Sequence, residues 1–326
     1  MADRILESET VVLAREDPSR PFTFAPVAVL RGSVDGKPIP FLVDSTTKRR
    51  LGANSEDAVL FVRPQRSPLR PLAPTEPEWL RLAYADAEYR TLIDRILALG
   101  DFWRADETGQ ARFSFFEALY DHKVRAIREL ALSELARAPY RLVRGMTPRL
   151  AVAEIVRMLR DPAMIPWAPA YVLLLGRSAD PAAHVLVRET IAAFAMYGAQ
   201  SNLAAWATAL IEIDGVRGID ILVRHYGGVP ERSAEELQEI LTAFGVHAKD
   251  GDPTLRSMIV ARLHDLARAR VEVAPAAANH LASLNDWSQA DFFQTLLESE
   301  KRWSPAESFM LTVYVRAARK GIESKE

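Results

Sequence analysis

The stretch DHKVRAIRELALSELA, residues 121–136, opens on an aspartate and continues as an amphipathic pattern. Asp121 stands where a side-chain oxygen accepts hydrogen bonds from the first free N–H groups of a helix and complements its dipole. Val124, Ile127, Ala131 and Leu135 recur at helical spacing and form one stripe. Ala126 and Ala131 are small, which lets a neighbouring helix come close. One such helix pair cannot bury both of its faces, so the pattern calls for stacked copies.

Weaker copies follow along the chain. DGDPTLRSMIVARLHDLA (250–267) places Asp252, Leu255 and Arg256 where Asp121, Val124 and Arg125 stand. RDPAMIPWAPAYVLLLG (160–176) and ADPAAHVLVRETIAAF (179–194) also open on Asp-Pro, and proline is well tolerated in a first helical turn. The spacing suits helix pairs of roughly 35–45 residues, about five or six of them. EWLRLAYADAEYRTLIDRILALG (78–100) reads as one amphipathic helix stopped by Gly100.

Before residue 70 the grammar differs. ETVVLARE, FTFAPVAVLRG, KPIPFLVDS and DAVLFVRP are rich in β-branched and aromatic residues, with turn signals between them. Strands this short and close suggest a small barrel or two-layer sheet. RPQRSPLRPLAPTEPE (63–78) holds five prolines and reads as a stiff linker. The expected fold class is therefore α+β and mostly α. A small β-domain over residues 1–75 precedes a HEAT-like helical repeat domain over 76–326.

The segments FFEALYDHKVRAIRELALSELARAPY (115–140), YVLLLGRSADPAAHVLVRE (171–189) and SNLAAWATALIEIDGVRGIDILVRHYG (201–227) resemble uncharacterised bacterial HEAT-repeat-like proteins, α-solenoids with a small N-terminal β-domain. The strand rhythm of the β-part is similar to netrin-like and OB-type barrels, although the netrin-like modules use disulfides and this chain has no cysteine. Neither resemblance implies an activity. Because many proteins of the first group are exported, it leans towards the bacterial envelope.

Composition narrows the remaining classes. The chain is 49% hydrophobic and 26% charged, as a globular protein is. A net charge of -2 over 326 residues argues against a strongly basic nucleic-acid binder, though not against a local basic patch. The lack of cysteine removes disulfides and thiolate chemistry. No apolar run nears the roughly 20 residues of a membrane span. The N-terminus lacks the apolar core of a signal peptide, which suits a cytoplasmic protein and equally an exported one whose leader has been removed.

Catalytic motifs are weak. GKPIPFLVDSTT (36–47) resembles the strand-loop of a retroviral-type aspartic protease at Asp44 and Ser45, but Thr46 replaces the glycine and a second carboxylate is lacking. A hydrolase centred on Asp44 and Ser45 is the alternative reading. Ser45 to Lys48 also matches Ser-x-x-Lys, without that motif's companions. The histidines at 122, 184, 225, 247, 264 and 280 show no metal-ligand spacing and read as surface or helix-end residues. No cofactor or metal is expected. Trp103, Trp287 and Trp303 read as packing at repeat edges.

Two basic stretches remain. One holds Lys48, Arg49, Arg50, Arg63, Arg66 and Arg70. The other, LARAPYRLVRGMTPRL (135–150), gathers Arg137, Tyr140, Arg141, Arg144 and Arg149 at one inter-helix connection, and these five are the candidate binding residues. A solvated, loop-solubilising role competes with an anion or nucleic-acid surface there. The expectation is a non-catalytic scaffold that binds a protein or peptide partner through a helical-repeat surface.

Overall fold

The computed structural model describes residues 1–34, 36, 38–65, 79–198 and 201–323, and side chains only as far as 320. Most of the proline-rich stretch, with Arg66 and Arg70, lies outside them, as do Ala199 and Gln200 between two of the expected helices. The chain forms two compact units, Met1–Arg137 and Ala138–Glu326.

The first unit opens with helix α1 (Ala2–Leu6) and strands β1 (Ser8–Glu16), β2 (Thr23–Arg31) and β3 (Ile39–Leu42). Helix α2 (Ser45–Ala53) and strands β4 (Ala58–Pro64) and β5 (Leu80–Ala85) come next. Helices α3 (Ala87–Ala105), α4 (Gln110–Glu117) and α5 (Arg125–Leu135) complete it. The antiparallel sheet runs β3-β2-β1-β4-β5 and curls into a half-barrel. Val11, Val12, Leu13 and Ala14 of β1 are all buried, because both faces of this central strand are covered. Val12 and Ala14 lie opposite Phe61 and Val59, and they share one core with Phe24, Ile39, Val43 and Leu51. Val11 and Leu13 pair with Val62 and Leu60 on the other face. Helix α1 packs against β1 and β4.

β2 is irregular. Relative to β1 it carries an extra residue at Leu30 and another at Val27, and it includes Pro26. Its pairing with β3 is confined to Thr23 and Phe24.

Three local expectations need correction. Residues 78–100 are not one helix: Leu80–Ala85 forms β5 against β4, and Asp86 then starts α3 by accepting the Tyr89 N–H at 2.8 Å. The apolar positions of LRLAYA suit a strand as well as a helix, and the free edge of β4 selects the strand. Gly100 lies inside α3, where Leu6 occupies the space a Cβ would need. α5 begins at Arg125, with Val124 as its N-terminal flanking residue, and Asp121 sits in the turn before it. There the His122 Nδ1 accepts the Val124 N–H at 3.1 Å. Ile127, Ala131 and Leu135 are buried as expected, together with Leu130 and Leu132. The first compact unit runs on to Arg137, and its sheet recruits β5 from beyond the proline-rich stretch.

The second unit is helical: α6 (Tyr140–Arg144), α7 (Val152–Leu159), α8 (Ala168–Arg177), α9 (Pro181–Tyr197), α10 (Leu203–Asp214) and α11 (Val216–Leu222). Then come α12 (Ala234–Asp250), α13 (Arg256–Ala269), α14 (Ala274–Ser283), α15 (Ala290–Glu298) and α16 (Pro305–Glu323). The Asp-Pro pairs open helical turns: Asp161, Asp180 and Asp252 each accept a backbone N–H two residues on, at 2.9 Å. Ser233 and Glu236 form a reciprocal capping box at the start of α12. Alternate helices are neighbours, with α8 on α10, α10 on α12, α12 on α14 and α14 on α16. α9, α11, α13 and α15 each pack on members of that series. Gly176 lets α8 approach α10 closely, since a Cβ there would stand 2.9 Å from the Ala209 Cα.

Candidate functional site

α10 reads LAAWATALIEID, and Glu212 is its one acid before the terminal aspartate. The Glu212 side chain is 5% exposed. A carboxylate taken this far from water needs charged or strong donors around it. Tyr140 Oη donates to Glu212 Oε2 at 3.0 Å. Arg144 Nε donates to Oε2 at 2.9 Å and to Oε1 at 3.1 Å. Arg177 Nη1 donates to Oε1 at 2.6 Å. Tyr140 and Arg144 are four residues apart and share a face of α6. Arg177 is the last residue of α8, so one carboxylate ties three helices.

α12 adds His247, which is 2% exposed. Its ring meets the Tyr140 ring edge-on, with centroids 5.1 Å apart. Nε2 lies 2.9 Å from the Thr208 carbonyl oxygen of α10. A carbonyl only accepts, so Nε2 carries the proton. Nδ1 is buried and has no hydrogen-bond partner. Burial pushes His247 below the ordinary histidine value, against the opposing pull of the Thr208 carbonyl and Glu212. Burial also raises the Tyr140 phenol, with Glu212 adding to the effect, so it stays a donor. Glu212 is thus a saturated acceptor that fixes helices, and its oxygens are engaged by Tyr140, Arg144 and Arg177.

Of the five expected binding residues, only Tyr140 and Arg144 meet on Glu212. Arg137 belongs to the first unit, where Asp3 pairs with it at 2.8 Å. Arg141 and Arg149 are exposed, and both are engaged by partners. Glu212, Arg177 and His247 escaped the sequence reading. A lone internal acid in an apolar helix was the available signal for Glu212. His247 does lie in the last turn of α12, but it is a core residue and not a surface one.

Asp44 is the N-cap of α2. It accepts the Thr47 N–H at 2.7 Å, and Arg81 approaches at 3.6 Å. The Thr47 amide holds its carboxyl below the usual range, and Arg81 contributes. Thr47 Oγ1 is buried between Tyr84 Oη at 2.8 Å and Arg81 Nη2 at 2.9 Å. Ser45 is the first residue of α2, a helix the sequence reading did not anticipate. Of the basic stretch around α2 and β4, Lys48 pairs with Glu16, Arg50 with Asp57 and Arg63 with Glu9.

His264, Asp286 and Ser288 have the composition of a triad, but the same nitrogen, Nε2, faces both Asp286 at 3.0 Å and Ser288 at 3.5 Å. That arrangement cannot relay a proton from serine to aspartate through the ring. Among the described residues, no group of three or more His, Asp or Glu side chains is placed to hold a metal ion. Among them, too, no helix is long and apolar enough to cross a membrane. Trp103 packs on Phe115 and Phe116, Trp287 on Tyr314, and Trp303 Nε1 donates to the Leu296 carbonyl at 3.1 Å.

α9 presents large apolar side chains to solvent. Val185 is 48% exposed, Met196 72% and Tyr197 79%. Val185, Glu189, Ala192 and Met196 follow one another at helical spacing along one side of the helix, and Tyr197 stands about 100° round from Met196. No protein-family model, no curated protein and no solved structure matches this chain.

Proposed function

We propose that the chain is a non-catalytic interaction protein whose second unit is an α-solenoid of HEAT-like helix pairs, with an OB-type barrel in the first unit. The succession of alternate helices from α8 to α16 supports the solenoid reading, since each helix contacts mainly its neighbours in the stack. The strand order β3-β2-β1-β4-β5, with a helix between β3 and β4, supports the OB-type reading.

The observation that carries the functional reading is the exposure of Val185, Met196 and Tyr197 on α9. Covering the exposed part of Met196 or Val185 on binding contributes at most about 1.5–3 kcal/mol each, and tyrosine is a common interface anchor. The partner is a protein or peptide. The hydrolase reading at Asp44 lacks comparable support, because that carboxylate is engaged in capping α2. An anion site at Tyr140 and Arg144 is disfavoured because Glu212 already neutralises it.

The test is capture from the native host's extract with the full chain and with a Met196→Ser, Tyr197→Ser double variant. A protein retained by the wild type and lost from the equally stable variant supports the proposal. Equal recovery on both, or clean eluates from both, overturns it.

A further inference from the structure

We infer that His247 is an acid-sensitive latch that holds α6 against α12, and that protonating its ring releases α6. The two ring nitrogens differ in what they face. Nε2–H is committed to Thr208 on α10, so an added proton must go to Nδ1. Nδ1 is buried without an acceptor, and Gly251, at the end of α12, packs against it.

Glu212 and Asp252 favour a charged ring, but both carboxylates are already engaged by other donors. From α6 the ring faces Tyr140 and Arg144, and from α10 Thr208 and Glu212. Asp252 follows α12, and Arg177 of α8 approaches through Glu212. His280 of α14 packs on the same helix at Gly245. Arg144 and Arg177 already balance Glu212 and Asp252. An imidazolium therefore adds an unmatched charge and an N–H without a partner. The carboxylate of Glu212 is already held by Tyr140, Arg144 and Arg177. Water is the remaining acceptor, and admitting it separates the ring from Tyr140. α6 is the element that yields. It has five residues, no side-chain cap, and Tyr140 and Arg144 as polar anchors.

The experiment is amide hydrogen exchange on the full chain from about pH 7.5 to about pH 5, spanning the ordinary histidine range and corrected for intrinsic rates. Protection at residues 142–146 is expected to fall about tenfold or more in the wild type as the pH drops. His247→Gln keeps an N–H donor for Thr208 and does not titrate, so its protection should stay flat. A His280→Asn variant should respond as the wild type does. An undiminished response in His247→Gln, its loss in His280→Asn instead, or no response in the wild type overturns the latch. Should His247→Gln not fold, the nitrogen shifts of His247 in the wild type decide the matter. Protonation in step with loss of protection supports the latch, and protonation without it refutes it.

Discussion

Glu212 brings a charge into a helix whose neighbours are leucine, alanine, tryptophan and isoleucine. Removing it strands two guanidinium groups and a phenol that are partly or wholly out of water. Glu212→Ala is expected to cost about 3–5 kcal/mol, read from urea denaturation, whereas Glu212→Gln keeps an acceptor and should cost less. His247 and His280 give the second residue-level expectation. Burial depresses both below the ordinary value, so the unfolded chain binds more protons in that range. Their contribution to stability is fully present above about pH 6.5 and is lost as pH falls towards their folded values. Urea midpoints taken above about pH 5, before the carboxylates titrate, should fall with pH, and the fall should shrink in a His247→Gln, His280→Asn double variant. The sequence offered only the lone acid of α10 and the pair Tyr140 and Arg144, not their meeting. Glu212 and its partners Tyr140, Arg144 and Arg177 lie 35 to 72 positions apart, and no local pattern encodes such a meeting.

Secondary structure was more readable where one signal dominated. β1 to β4 follow from β-branched and aromatic runs bounded by turn residues, and the Asp-Pro openings mark helical starts in the second unit. α2 was hidden because STTKRRLGA buries only Thr47 and Leu51, leaving almost no periodic apolar signal. β5 was hidden for the opposite reason, since its apolar positions satisfy both periods until β4 chooses between them. Among the helices, α8 and α10 are pressed together at Gly176. Gly176→Val should force them apart and cost about 1–3 kcal/mol, seen as a lower thermal midpoint with unchanged helical content. Full helical content with an unchanged midpoint would mean that the contact is looser than the geometry requires.

For the whole molecule, the sequence conveyed the ordering of a small sheet followed by many helices, but not where the first unit ends. A boundary in the proline-rich stretch separates β5 from β4, its partner in the sheet. Fragments 1–137 and 138–326 are expected to unfold cooperatively in separate denaturation experiments, each with its own core. Fragment 1–75 lacks the strand that covers β4 and should show no cooperative transition. A cooperative transition in 1–75 would place the structural boundary back at the prolines.

The irregular β2 has a consequence for how the protein behaves at high concentration. Beyond Phe24 its outer side meets no strand among the described residues, and a straight strand there would template fibrils. Two displaced residues and a proline deny an incoming chain a continuous row of partners, which disfavours edge-to-edge pairing along this rim.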